Sequence, residues 1–241
     1  GEPLEAAPRS SWKLHDNEAA VGYMIRLNDY LSPRALYRLQ EAGMVTQVAT
    51  EPIGYRNLHI DRSFGQGTIF IPVEKQSLPP GRMVPILRKT AEETGVDIHS
   101  LTTSYTPEGV DMGSQTLIPL ERPKILLMAG DGVSSLESGE IWHLLDTRMG
   151  IPVVLAGPER LNRMDLSGYT HILMPSGSYG AIGESGKQEL ERWLSRGGTV
   201  IASRYANRWL ADNGFCDLGF RESLRDTTTL RPYSELFLER G

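Results

Sequence analysis

The 241-residue chain contains a single cysteine, Cys216. That excludes an internal disulfide and a zinc site built on several thiolates, and it leaves the compartment open. Long apolar runs are also missing. The longest, KILLMAG and GTIFIPV, are strand-sized, well short of the ~20 residues a membrane-spanning helix needs, so no membrane span is expected. Basic charge is not in excess: 25 Lys and Arg face 30 Asp and Glu, a net charge of −5. Phosphate contacts need clustered Lys and Arg, so no nucleic-acid partner is expected. The opening GEPLEAAPRS lacks the apolar core of a signal peptide. Gly1 reads as the remnant of a tag on a piece of a longer protein, in which case a removed leader would leave no trace.

What is present is ordinary for a packed domain: 39% apolar and 23% charged residues. Residues 1–19 read as an irregular lead-in. Strands are expected in 20–29, 44–50, 67–73 and 96–103. SPRALYRLQEAG reads as a helix with Ser32 as N-cap, Pro33 in its first turn and Gly43 at its end, with Ala35, Leu36, Leu39 and Ala42 on one face. Residues 51–65 read as loop, and 79–95 as helical from Pro85 on, if not before. After a break at 104–123, strands are expected in 124–130, 151–157, 170–176 and 199–203. Ser134 and Glu137 form a capping-box pattern opening a helix. A second helix, 184–198, presents Leu190, Trp193 and Leu194 inward. Both halves follow the order strand, helix, strand, loop, strand, helix, strand. We therefore expect an α/β fold of two three-layer units with mainly parallel sheets covered by helices on both faces. The first spans 20–121, the second 122–214, and 215–241 is a C-terminal extension.

In such folds ligands bind beyond the carboxyl ends of the strands. AGDGVSS (129–135) follows a strand and opens a helix there. Gly130, Gly132 and Ser134 are candidates to present backbone N–H groups to an anion, although the third glycine of a dinucleotide fingerprint is replaced by Ser135. The PSGSYG turn adds Ser176, Ser178 and Tyr179 as candidate contacts. His15 and Glu18 form a literal H-x-x-E, with His143 as a distant third ligand. The surroundings argue against a metal site: PRSSWK does not read as a supporting strand, and His143 reads as a half-buried packing residue on a helix. His59 and His99 read as surface or strand-edge residues and His171 as a strand start. Cys216 has no neighbour in sequence that marks a reactive thiolate.

THILMPSG, LSRGG and TVIASRYANRWLADNG make residues 123–214 resemble class I glutamine amidotransferase-like domains, which implies a flavodoxin-like fold for the three-layer units. The resemblance implies a strained strand-to-helix elbow that carries a cysteine nucleophile in active members. Aligning GGTVIASRYA places Tyr205 at that position, with Ser203 two residues earlier. A phenol of pKa near 10 replaces a thiolate poorly. No histidine follows His171 to act as base. No catalytic residue is expected, only a degenerate elbow at Ser203 and Tyr205.

A longer run, GVDMGSQTLIPLERPKILLMAGDGVSSLESGEIWHLLDTRMGIPVVLAG, is similar to the segment that follows the catalytic domain in bacterial zinc carboxypeptidase-like proteins. Gly113–Ser114, Gly130 to Trp142, and Asp146 to Arg148 carry that resemblance. SPRALYRLQEAG and GTIFIPV extend it upstream. It implies a periplasmic or secreted metallopeptidase whose zinc lies in a peptidase domain outside this chain. This region would hold no cofactor itself. It would pack on the peptidase domain or bind a peptide, glycan-type or other small ligand. The alternatives are an independent hydrolase using Ser203, Ser176 or Cys216, or a small-ligand module using the 130–135 turn.

Overall fold

A computed structural model describes residues 14–15, 19–56, 61–106, 108–109 and 115–220. Glu18, His59, Gly113, Ser114 and residues 221–241 of the expected extension lie outside the described residues. The chain is α/β, as expected from its alternating pattern.

The second half carries the all-parallel sheet. Its strands are β10 (Ile125–Met128), β11 (Val153–Ala156), β12 (His171–Met174) and β13 (Thr199–Ala202), in the order β11-β10-β12-β13. This is the doubly wound order in which the chain reverses direction beside the first strand. Successive apolar residues feed two cores. Leu126, Met128, Ile172 and Met174 face one side, packed with Leu190 and Trp193 of helix α4 (Gly183–Ser195) and Ala206 and Leu210 of helix α5 (Tyr205–Asp212). Ile125, Leu127 and Leu173 face the other. There they meet Ile141 of helix α3 (Ser135–Trp142), and Leu145 and Met149 of the π-helical turn His143–Met149 that continues it. Strands buried on both faces explain the unbroken apolar runs. The double glycine before β13 has two separate causes. Gly197 takes a positive φ of 97° past the end of α4, and a Cβ on Gly198 would overlap the Trp193 indole.

The first half differs from the expected parallel sheet. Its strands are β1 (Leu14–His15), β2 (Gly22–Ile25), β3 (Thr46–Ala49), β6 (Ile69–Pro72), β7 (Ile98–Leu101) and β9 (Leu117–Leu120), in the order β1-β7-β2-β6-β3-β9. Among the described pairings of this sheet only β1–β7 is parallel. Helix α1 (Ser32–Glu41) joins β2 to β3, and helix α2 (Pro80–Thr94) joins β6 to β7. In each unit the two linked strands are separated by a strand of the other unit, the split βαβ arrangement of ferredoxin-like folds. The order strand, helix, strand is common to both topologies. What separates them is whether a strand inserts between the linked pair, and local periodicity carries no signal for that.

Both helices cover one face of this sheet, where Ala35, Leu39, Met83 and Leu87 pack on Tyr23, Ile25, Ile69 and Ile71. The opposite face is covered by a small sheet of β4 (Ile53–Arg56), β5 (Asp61–Phe64) and β8 (Glu108–Gly109), ordered β5-β4-β8. Residues 51–65, expected as loop, thus contain two strands. Ile53, Tyr55 and Phe64 are fully buried against Met24, Phe70 and Leu101. The alternation of Ile53 and Tyr55 was their signal, outweighed by the glycine and polar residues around it. Ser32 is not the N-cap of α1 either. Leu31 occupies that position, and the Ser32 hydroxyl donates to the Arg26 carbonyl at 2.5 Å. Leu14 and His15, assigned to an irregular lead-in, form β1 alongside β7.

The two halves meet through Tyr37 of α1, which is buried among Ile125, Leu127 and Met149 of the second unit. Tyr37→Ala removes a buried aromatic ring from this junction and is expected to cost about 3 kcal/mol. Chemical denaturation of the variant checks this; a loss below about 1 kcal/mol would show that the ring contributes little.

Candidate functional site

The carboxyl ends of β10, β12 and β13 carry three loops that converge. The first is 129–135. Gly130 and Gly132 take positive φ values of 118° and 83°, which fold the loop back toward the second, 175–180. The Ser134 N–H donates to the Ser176 carbonyl at 2.8 Å, and the Ser178 N–H donates to the Gly132 carbonyl at 2.8 Å. A Cβ on Gly177 would lie 2.7 Å from the Gly132 oxygen and 2.9 Å from Val133 Cα, both backbone atoms. The structure thus brings Gly130, Gly132, Ser134, Ser176 and Ser178 together. It does so by tying the two loops to each other. The N–H groups of Val133, Ser134 and Ser178 are spent on internal carbonyls, so they are not available as an anion cradle.

Ser134 caps α3 as expected, its hydroxyl accepting from the Glu137 N–H at 3.3 Å. The reciprocal half of the box does not form. The Glu137 carboxylate instead reaches across the crevice: Oε2 accepts from the Ser176 N–H at 2.8 Å and from the Ser203 hydroxyl at 2.9 Å. Its Oε1 accepts from Arg204 Nη1 at 3.3 Å. The Ser176 N–H, then the Ser203 hydroxyl, then the Arg204 charge hold this carboxyl below the ordinary glutamate range.

The third loop is the strand-to-helix elbow. Its strained residue is Arg204, at φ 49° and ψ −113°, the one described non-glycine residue with positive φ. The apex is therefore one residue before Tyr205, which opens α5 and is 71% exposed. A backbone turned this way at the end of a strand lifts its side chain into the crevice, and such strain persists only where the surroundings hold it. Glu137 and Ser203 supply that hold. Neither Glu137 nor Arg204 was singled out as a site residue in the sequence. Glu137 was absorbed into the helix cap, and Arg204 stood between the two positions the alignment picked.

The remaining candidates scatter. His15 pairs with Asp97 at 3.3 Å and stacks on His99 at 4.7 Å. His99, expected near the surface, is 2% exposed and meets Phe64 edge-on. His143, expected half-buried on a helix, is exposed on the π-helical turn. His171 lies at the opposite end of β12, bonded to Thr170. Among the described residues no group of three His, Cys, Asp or Glu side chains gathers that could hold a metal. Tyr179 is fully buried, its hydroxyl donating to the Pro175 carbonyl at 2.6 Å. Burial, then the Glu137 charge, pushes its pKa well up, so it anchors the turn as a neutral phenol. Cys216 is exposed.

A hydrolytic serine needs a base within hydrogen-bond reach. Ser203 has one in Glu137, but three donors stabilise that carboxylate and make it a weaker proton acceptor than an ordinary glutamate. The arrangement favours a fixed structural link over a nucleophile–base pair. No family model matches the chain, and neither a curated protein nor a solved structure matches it.

Two predictions follow from this geometry. At Arg204 a glycine relieves the φ 49° strain that an alanine retains. Arg204→Gly is expected to be more stable than Arg204→Ala by about 1 kcal/mol, the reverse of the usual ranking. Equal or inverted melting temperatures would show an unstrained elbow. Glu137 is lowered in the folded chain, so its contribution is complete above the unfolded value of about 4.3 and fades as pH falls below it. The stability advantage of the wild type over Glu137→Gln should shrink across that window in pH-dependent melts. Parallel pH profiles for the two proteins would count against the role given to the carboxylate.

Proposed function

We propose that this chain is a non-catalytic accessory region of a zinc carboxypeptidase-like metallopeptidase. It packs on the peptidase domain or binds a peptide or glycan-type ligand at the crevice of Gly130, Gly132, Ser134, Ser176 and Ser178. The observation that carries the reading is the occupant of the elbow. The strained apex of the elbow carries Arg204, ion-paired to Glu137, and Tyr205, which the resemblance aligns with the nucleophile, opens α5 one residue later. A guanidinium cannot attack a carbonyl, and it remains charged at all working pH values. The crevice offers instead a cation that is 77% exposed beside a carboxylate, a polar pair suited to contacting a ligand or a neighbouring domain. The assignment to a metallopeptidase rests on the resemblance of the 109–157 run, and so does the periplasmic or secreted location. In this reading the zinc belongs to the peptidase domain.

Two measurements test the reading. The purified chain should release no ammonia from glutamine and no product from ester or peptide substrates above the buffer rate. Turnover that is abolished by Ser203→Ala would establish the hydrolase alternative. The reading frame upstream of the codon for Gly1 should encode a peptidase domain with a strand-borne H-x-x-E. An upstream frame without one would remove the metallopeptidase assignment.

A further inference from the structure

The crevice at the carboxyl end of the second sheet spends its polar groups on itself. The opposite end of the same sheet does not. Between the starts of β12 and β13 and the end of β9 lies a cavity of about 480 Å³, a volume within the range of small-molecule sites. Glu121, just past β9, borders it on the side of the first unit. The second unit supplies Tyr169, His171 and Thr199 at the strand starts, and Trp193 and Arg196 at the end of α4.

The walls are fixed by internal contacts. The Trp193 indole N–H donates to the Tyr169 carbonyl at 3.0 Å. Gly198 lies against the indole so closely that a Cβ there would overlap the ring. The Thr170 hydroxyl oxygen accepts from the Lys124 N–H at 2.8 Å and lies 2.8 Å from His171 Nδ1, which orients the imidazole. His171 and Thr199 are neighbours across the β12–β13 register.

The remaining groups of the cavity are unspent. Among the described residues the Arg196 guanidinium and the Glu121 carboxylate form no hydrogen bond or ion pair, and neither His171 Nε2 nor the Thr199 hydroxyl has a partner. Asp165, the acid that feels the Arg196 charge, is instead bonded to Ser167. Glu189, which also lines the cavity, is paired with Arg192 at 2.6 Å.

These charges select a ligand. A guanidinium fork matches a carboxylate or a phosphate. A free carboxylate in the same cavity repels a dianion such as phosphate and attracts an ammonium group. A molecule that carries both a carboxylate and an ammonium satisfies both groups. The imidazole of His171 and the hydroxyl of Thr199 suit the amide N–H and C=O of a peptide.

We propose that this cavity binds a short peptide with free termini, its carboxylate on Arg196 and its ammonium on Glu121. The proposal is independent of the metallopeptidase reading and of the Ser176 crevice, which lies at the other end of the sheet. It is tested by NMR titration of the whole chain, labelled with nitrogen-15, with the dipeptide alanyl-alanine. The Trp193 indole N–H and the Gly197, Gly198 and Thr199 amides are expected to shift, with a Kd of about 1 mM or tighter. Acetylating the amino end of the dipeptide, or amidating its carboxyl end, should each weaken binding at least ~10-fold. Arg196→Gln should no longer distinguish the amidated dipeptide from the free one, and Glu121→Gln should no longer distinguish the acetylated one. Both side chains are exposed, and melting temperatures within about 2 °C of the wild type report an intact fold. No shift at about 10 mM dipeptide would overturn the proposal. So would equal affinity for the blocked dipeptides, or tighter binding of inorganic phosphate or N-acetylglucosamine. Shifts confined to the Gly132 and Ser178 amides would overturn it too, and would place the ligand in the crevice instead.

Discussion

One carboxylate ties together the carboxyl end of the second sheet. Glu137 sits in the first turn of α3, yet it bonds the backbone at the end of β12, the hydroxyl at the end of β13 and the guanidinium at the elbow. Three elements distant in sequence are thereby locked around a single side chain. Position in the first helical turn also suits a negative charge, because unpaired N–H groups leave the helix start partially positive. The strained backbone at Arg204 persists in that setting.

The same contacts define what the crevice can do. In an active elbow the strained residue carries a nucleophile whose base is free to accept a proton. Here the strained residue is a permanent cation, and the neighbouring carboxylate is occupied by three donors. The glycines and serines of the two facing loops serve closure first, through the bonds of Ser134 to Ser176 and Ser178 to Gly132. Beneath the elbow, Ala206 and Leu210 of α5 pack into the core, while Glu137 holds its upper side through Ser203 and Arg204.

Two different folds stand side by side in one chain. Both are made from strands joined by helices, and each buries its central strands on two faces. The first closes its second face with strands β4 and β5, the second with α3 and with Tyr37 borrowed from the first. The bare stretch near Ile201 is the part of the second sheet that this scheme leaves uncovered among the described residues.

Much of the second unit was legible in the sequence. The runs around Leu126, Ile172 and Val200 are apolar because parallel strands are buried on both faces. Ser134 marked a helix start because its hydroxyl meets an orphan N–H one turn on. The alternation of apolar strand and amphipathic helix determined the α/β class, as these are short-range consequences of burial. The mixed sheet of the first unit, the burial of His99 and the reach of Glu137 were not legible. Each depends on which strand inserts between two others, or on which loop lies opposite a side chain. Those choices are made by long-range pairing, after local structure is already satisfied, and only the tertiary structure decides them.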